Sequence, residues 1–156
     1  MSVFRRAGNA LCTALLLLTG AVALADESGN TLYVHCGASS GLNSIGAALK
    51  ALQHSEDSGP STINVSGACH ENVLIQNIDR LTVAGSHGAS ITDASGDTAD
   101  VVDIRNSNVT ITGMTIDGLS GLNNDAVDCE QGSHCTLVGN TIQGAAEPVG
   151  VVLPVT

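Results

Sequence analysis

The feature that most constrains this chain is a self-similarity that returns after about 25 residues, the mark of a stacked repeat architecture. Three segments close on matched glycines: Leu81-Thr82-Val83-Ala84-Gly85, Val109-Thr110-Ile111-Thr112-Gly113 and Thr136-Leu137-Val138-Gly139. Those glycines lie 28 and 26 residues apart, and Ile63-Asn64-Val65-Ser66-Gly67 is a shorter relative. A second series, Ile91, Ile116 and Ile142, is spaced 25 and 26. The closest match sets Asp100-Val101-Val102-Asp103-Ile104 against Asp125-Ala126-Val127-Asp128-Cys129, 25 residues on. Each repeat holds about three short runs that alternate apolar and polar residues, the signal of half-buried strands. A sandwich of antiparallel strands does not require one repeat to resemble the next. A parallel β-helix does, because each coil stacks on its predecessor and like positions pile into rows. The repeat therefore predicts an all-β chain of about four coils, with rows such as Val83–Ile111–Val138 and Ile91–Ile116–Ile142 inside.

Composition agrees with slim aliphatic rows. Tyr33 and Phe4 are the only aromatic residues besides an absent Trp, and Gly, Ser, Thr and Asn are abundant, which suits short strands and tight turns. One segment departs from the strand pattern. In Asn43–Gln53, Ile45, Ala48, Leu49 and Leu52 fall on one helical face with Asn43 or Ser44 as N-cap, so a short amphipathic helix is expected to cover the open end of the stack.

The first 25 residues read as an export signal. Arg5 and Arg6 precede an apolar run from Ala10, which ends in Ala23-Leu24-Ala25, an A-x-A cleavage pattern. The run is shorter than the ~20 apolar residues that a spanning helix needs. The expected organisation is thus a signal peptide over 1–25, a first strand and capping helix over 26–60, and coils over 61–156, with the mature chain secreted or periplasmic and without a membrane span. Beyond residue 25 only Lys50, Arg80 and Arg105 face 15 acidic residues, a formal charge of −12. That balance excludes a nucleic-acid partner, which demands a basic face.

Export also changes how the cysteines read. Cys36, Cys69, Cys129 and Cys135 remain after cleavage, and four cysteines in an oxidising compartment predict two disulfides with three possible connectivities. The preferred set is Cys36–Cys69 and Cys129–Cys135, the second closing a short loop. The alternative, a Cys/His metal site at Cys69-His70 and His134-Cys135, lacks CxxC or HxxxH spacing.

The strand TLYVHCG (31–37), the helix SIGAALKAL (44–52), and the runs GPSTINVSGACHENVLI (59–75), RLTVAG (80–85), NVTITGMTIDG (108–118) and CTLVGNTIQG (135–144) together resemble secreted bacterial right-handed parallel β-helix proteins of the pectate-lyase-like superfamily. The resemblance covers residues 31–145. It implies a right-handed parallel β-helix, and membership of a group that contains polysaccharide lyases, glycoside hydrolases, epimerases and adhesin-like surface proteins.

The candidate site is the acidic repeat. With Val102, Ile104, Val127 and Cys129 inward, Asp103 and Asp128 project outward on adjacent coils, roughly 4.8 Å apart. Asp100 and Asp125 begin the same strands, and Asp97, Asn123 and Asn124 lie close in sequence. Four clustered carboxylates at Asp100, Asp103, Asp125 and Asp128 suit Ca²⁺, a hard cation bound by oxygen. Paired carboxylates also suit glycoside hydrolysis, with Asp103, Asp125 and Asp128 as the catalytic candidates. Against an enzyme, the chain has no Asp-Asp pair, no Gly-His-Gly and no Arg-x-Lys, the motifs that mark polygalacturonase-like members, and Arg80 and Arg105 are expected at turns. A sugar platform would stack rings, and Tyr33 alone can stack. The aspartates also read as a plain solvated acidic ladder, so the reading is an exported, non-catalytic module of the envelope or extracellular space, with glycan or Ca²⁺ as its candidate ligands. Its alternative is a truncated polysaccharide lyase or glycoside hydrolase. Expected partners are a polysaccharide or an envelope component. The apolar last segment, Pro148–Thr156, with no polar cap, further predicts self-association through the C-terminal edge.

Overall fold

A computed structural model describes residues 29–54, 59–119, 123–146 and 149–151; the expected signal segment, and the C-terminal tail beyond Val151, lie outside them. The first strand β1 (Thr31–His35) leads into the helix α1 (Ile45–Gln53). The chain then makes four passes, each contributing a strand to three separate sheets. They are β2 (Ser61–Ser66), β3 (Ala68–His70) and β4 (Val73–Gln76); β5 (Leu81–Gly85), β6 (Ser90–Thr92) and β7 (Val102–Arg105); β8 (Asn108–Thr112), β9 (Thr115–Asp117) and β10 (Val127–Glu130); and β11 (His134–Val138), β12 (Thr141–Gln143) and β13 (Gly150–Val151). The sheets run β1-β2-β5-β8-β11, β3-β6-β9-β12 and β4-β7-β10-β13, and every pairing is parallel. The chain is therefore an all-β parallel fold with one short helix.

Period-two alternation makes the stack possible. In β2 and β5 every second residue is buried, and register brings the inward aliphatics into rows. Cys69, Ile91, Ile116 and Ile142 form one row, as their spacing predicts. The other expected row shifts by one residue. Val83 and Ile111 are followed by Leu137, while Val138 lies opposite Thr112 and is 53% exposed. The reason is that Thr136 pairs with Thr110, so parity turns Leu137 inward and Val138 outward. The closing glycines follow the same register, each one residue beyond a paired position: Ala84 and Thr112, then Thr112 and Val138. Gly113 has φ +68°, and a Cβ at Gly85 would meet the Gly113 carbonyl oxygen at 2.6 Å, so these two backbones stack in direct contact.

The helix caps this core through Ile45, Ala48 and Leu49, all buried, with Leu52 partly so. Ser44 is the N-cap and its Oγ accepts from the Ala47 amide at 3.1 Å. Glu71, at the turn from β3 to β4, accepts from the Ile45 and Gly46 amides at 2.7 and 3.0 Å. The first helical turn is thus held from the neighbouring coil by a carboxylate placed at the positive end of the helix dipole. Both disulfides are formed as preferred, Cys36–Cys69 and Cys129–Cys135, with Cα separations of 5.0 and 6.4 Å. The Cys36, Cys69 and Glu71 group is accordingly a disulfide beside a helix cap and not a thiolate site. Among the described residues, no helix is long and apolar enough to cross a membrane.

Candidate acidic site

Asp103 and Asp128 are register partners in the middle of β7 and β10, flanked by the buried pairs Val102–Val127 and Ile104–Cys129. The alternation that buries those pairs turns both carboxylates outward on the same sheet face. Asp100 and Asp125 lie just before the two strands, and the Asp125 amide donates to Asp100 Oδ1 at 2.7 Å. The four aspartates expected to cluster are therefore brought together. Gly150 of β13 packs over them: a Cβ there would overlap the Asp125 carboxylate and come within 3.2 Å of Asp128 Oδ1.

Two residues absent from the expected set complete the site. Glu130 ends β10 on the face that carries Asp128, and one oxygen each of Asp103, Asp128 and Glu130 lies within 4.8 Å of the others. Arg105, which was expected at a turn, ends β7 directly opposite Glu130. Its Nε donates to Asp103 Oδ1 at 2.9 Å and pairs with Glu130 Oε1 at 2.7 Å, and a terminal nitrogen lies 2.6 Å from Asp103 Oδ2. The signal was in the sequence: Arg105 and Glu130 occupy the same place in the 25-residue repeat that aligns Asp103 with Asp128. By contrast Arg80, with φ +56°, does lie in the turn between β4 and β5, beside Asp79.

The guanidinium thus bonds two of the five carboxylates, those of Asp103 and Glu130. Asp103 hydrogen-bonding and the nearby negative charges raise the Arg105 pKa above its ordinary value. Asp128 lacks that help: no donor or cation among the described residues bonds to its carboxylate. Partial burial, then the charges of Asp100, Glu130, Asp103 and Asp125, push its pKa above the ordinary aspartate value. All five groups offer oxygen, the donor set of a hard cation, and the spacing of Asp103, Asp128 and Glu130 fits ligands around one ion.

The loop between β6 and β7, which delivers Asp100, is organised by a residue that sequence patterning missed. Asp93 is 2% exposed and accepts from the amides of Ser95, Gly96 and Asp97, from Ser95 Oγ and from Asn72 Nδ2, at 2.7 to 3.0 Å. Burial opposes its charge, but these donors prevail and hold its pKa well below the ordinary range. Asn72 also donates to the carbonyls of Ala99 and Asp100, so the loop is tied to the preceding coil on both sides. Further along, Asn123 donates to Asp97 through its amide and its side chain. Asn124 donates to the Ala99 carbonyl at 2.6 Å, and its own Oδ1 is buried without a partner among the described residues.

A shallow depression of about 330 Å³ borders this site, lined by Asn72, Leu74, Thr98, Asp100, Asp103 and Arg105 among others. Asp128 is not in its wall, so the two stacked aspartates do not face one another across a cleft. The histidines stay dispersed: His35 bonds Ser66, His54 bonds the Lys50 carbonyl at the helix end, and His70 and His134 sit on other sheets. No family model, no curated protein and no solved structure matches this chain.

Proposed function

We propose that the chain is an exported, non-catalytic right-handed parallel β-helix module whose acidic face binds Ca²⁺. The single observation that carries the reading is Asp128. It is a partly buried carboxylate set among four others, and the nearby guanidinium of Arg105 is engaged by Asp103 and Glu130. A divalent ion supplied from an extracellular or periplasmic medium would relieve that repulsion, with Asp128, Asp103 and Glu130 as ligands and Asp100 and Asp125 adding charge. Right-handed winding is the expected sense of strand-to-parallel-strand connections, which are right-handed in about 98% of cases. Among the described residues β11 and β12 stand at sheet edges, where a second copy or an envelope component would add a strand.

Arg105 competes with the ion for Asp103 and Glu130. Thermal unfolding with Ca²⁺ and with chelator therefore tests the reading through opposite variants. Ca²⁺ should raise the Tm of the parent, Arg105→Gln should enlarge that rise, and Asp128→Asn should remove it. No rise in the parent sinks the Ca²⁺ reading. A polysaccharide panel addresses the alternative enzyme. Release of reducing or unsaturated sugars, lost in Asp128→Asn, would make the chain a hydrolase or lyase.

A further inference from the structure

The outward face of the five-stranded sheet carries a row of one residue type. Register stacks Thr31 on Thr62, Thr62 on Thr82, Thr82 on Thr110 and Thr110 on Thr136. Five threonines on five strands thus repeat at the strand spacing of about 4.8 Å. Three observations separate this row from ordinary surface polarity. First, none of the five hydroxyls makes a hydrogen bond within the protein among the described residues, whereas Ser66, Ser95, Ser107 and Ser133 are all consumed by backbone or side-chain partners. Second, β1, β2, β5, β8 and β11 contain no Asp, Glu, Lys or Arg, in a chain with 15 acidic residues. Third, the neighbouring outward row contains Asn64, Ala84 and Thr112 at its centre, so short side chains leave the middle of the face level.

Threonine is stiff at χ1 because it is β-branched, so each member of the row holds its methyl and hydroxyl in one of few orientations. The result is a rigid, uncharged array of alternating apolar and hydrogen-bonding groups with a one-dimensional lattice period. Such an array suits a ligand that is itself a lattice of small hydrogen-bonding units with a similar repeat. Hexagonal ice, whose oxygen repeat lies close to this spacing, has that chemistry. A polysaccharide surface fits less well, since sugar faces are gripped by aromatic rings and Tyr33, at the sheet edge, is the one Phe, Tyr or Trp among the described residues.

We infer that the Thr31–Thr62–Thr82–Thr110–Thr136 face is a docking surface for the ordered water lattice of an ice crystal. The face is separate from the acidic sheet and does not rest on the Ca²⁺ reading. The full disulfide-bonded chain is tested by ice-recrystallisation inhibition and by partition of fluorescently labelled protein into a growing ice hemisphere. The parent should slow recrystallisation and enter the ice. Thr82→Lys and Thr110→Lys should abolish both while circular dichroism and Tm show a folded protein, and Asp128→Asn should retain both. Exclusion of the parent from ice overturns the inference. So does ice activity that survives in folded Thr82→Lys and Thr110→Lys, binding to microcrystalline cellulose in place of ice, or a solution dimer that the lysine variants dissociate.

Discussion

Two sheets of this molecule obey the same inward rule and opposite outward ones. In the sheet β4-β7-β10-β13, the inward rows are aliphatic and the outward ones hold Leu74, Asp103, Asp128 and Gly150, then Gln76, Arg105 and Glu130. In the sheet β1-β2-β5-β8-β11, the inward rows are again mostly aliphatic and the outward ones are threonine-rich and uncharged. Stacking strands at about 4.8 Å amplifies whichever side chain is repeated. Repeated aspartate gives a repulsion of roughly 1 kcal/mol per pair in water, and several in a partly buried setting. Repeated threonine brings no such conflict. The inward residues thus specify the stack, and the outward ones are left for function.

The comparison breaks most visibly if the two sheets do not share one core. Ile104 and Ile111 belong to the acidic and threonine sheets respectively, and each is 1% exposed or less. Ile104→Ala and Ile111→Ala should each cost about 2–5 kcal/mol in urea unfolding, with single coincident transitions for both variants. Separate transitions would divide the molecule into independently melting sheets. Next in size is the support of the acidic side. Asp93→Ala strips the acceptor from five donors and should cost about 3 kcal/mol, while leaving the threonine face unchanged in amide exchange. Because the folded-state pKa of Asp93 is depressed, its contribution is full above the ordinary aspartate pKa of 3.8 and is lost as pH falls below it.

The smallest effect sharpens the contrast between outward rows. Asp128 has a raised folded-state pKa, so its charge penalises the fold above that raised value, and the penalty vanishes below the unfolded one. In metal-free buffer, Asp128→Asn should therefore raise stability at neutral pH by less than about 1 kcal/mol, and the gain should fade as pH drops toward 3.8. Thr110→Ala, on the uncharged row, should show no such pH dependence. Chemical denaturation at pH 7 and at pH 3.5 measures both.

Much of this was legible in the residues. Parity along β7 and β10 put Asp103 beside Asp128, spacing alone stacked Ile91, Ile116 and Ile142, and one helical face announced the cap. What failed to show has physical reasons. Val138 was placed inside by its aliphatic character, although counting back two residues from each closing glycine gives Val83, Ile111 and Leu137, the parity that the strand register has. Arg105 and Glu130 occupy repeat positions as plain as those of the aspartates, but charge at a strand end is indistinguishable from a turn until pairing is known. Asp93 and Glu71 act through backbone amides of loops and a helix end, and amide direction is not written in residue type. The threonine row was hidden because its members sit at unequal sequence intervals, from Thr31 to Thr62 and then Thr82.

The central claim is that the outward acidic row, and not the stack itself, binds a cation at Asp128. Calorimetric titration of Ca²⁺ into the chelator-treated chain tests it most directly. The account predicts saturable binding that is stronger in Arg105→Gln, absent in Asp128→Asn and unchanged in Thr110→Lys. A titration of the parent with no saturable heat, or binding that persists undiminished in Asp128→Asn, would contradict it.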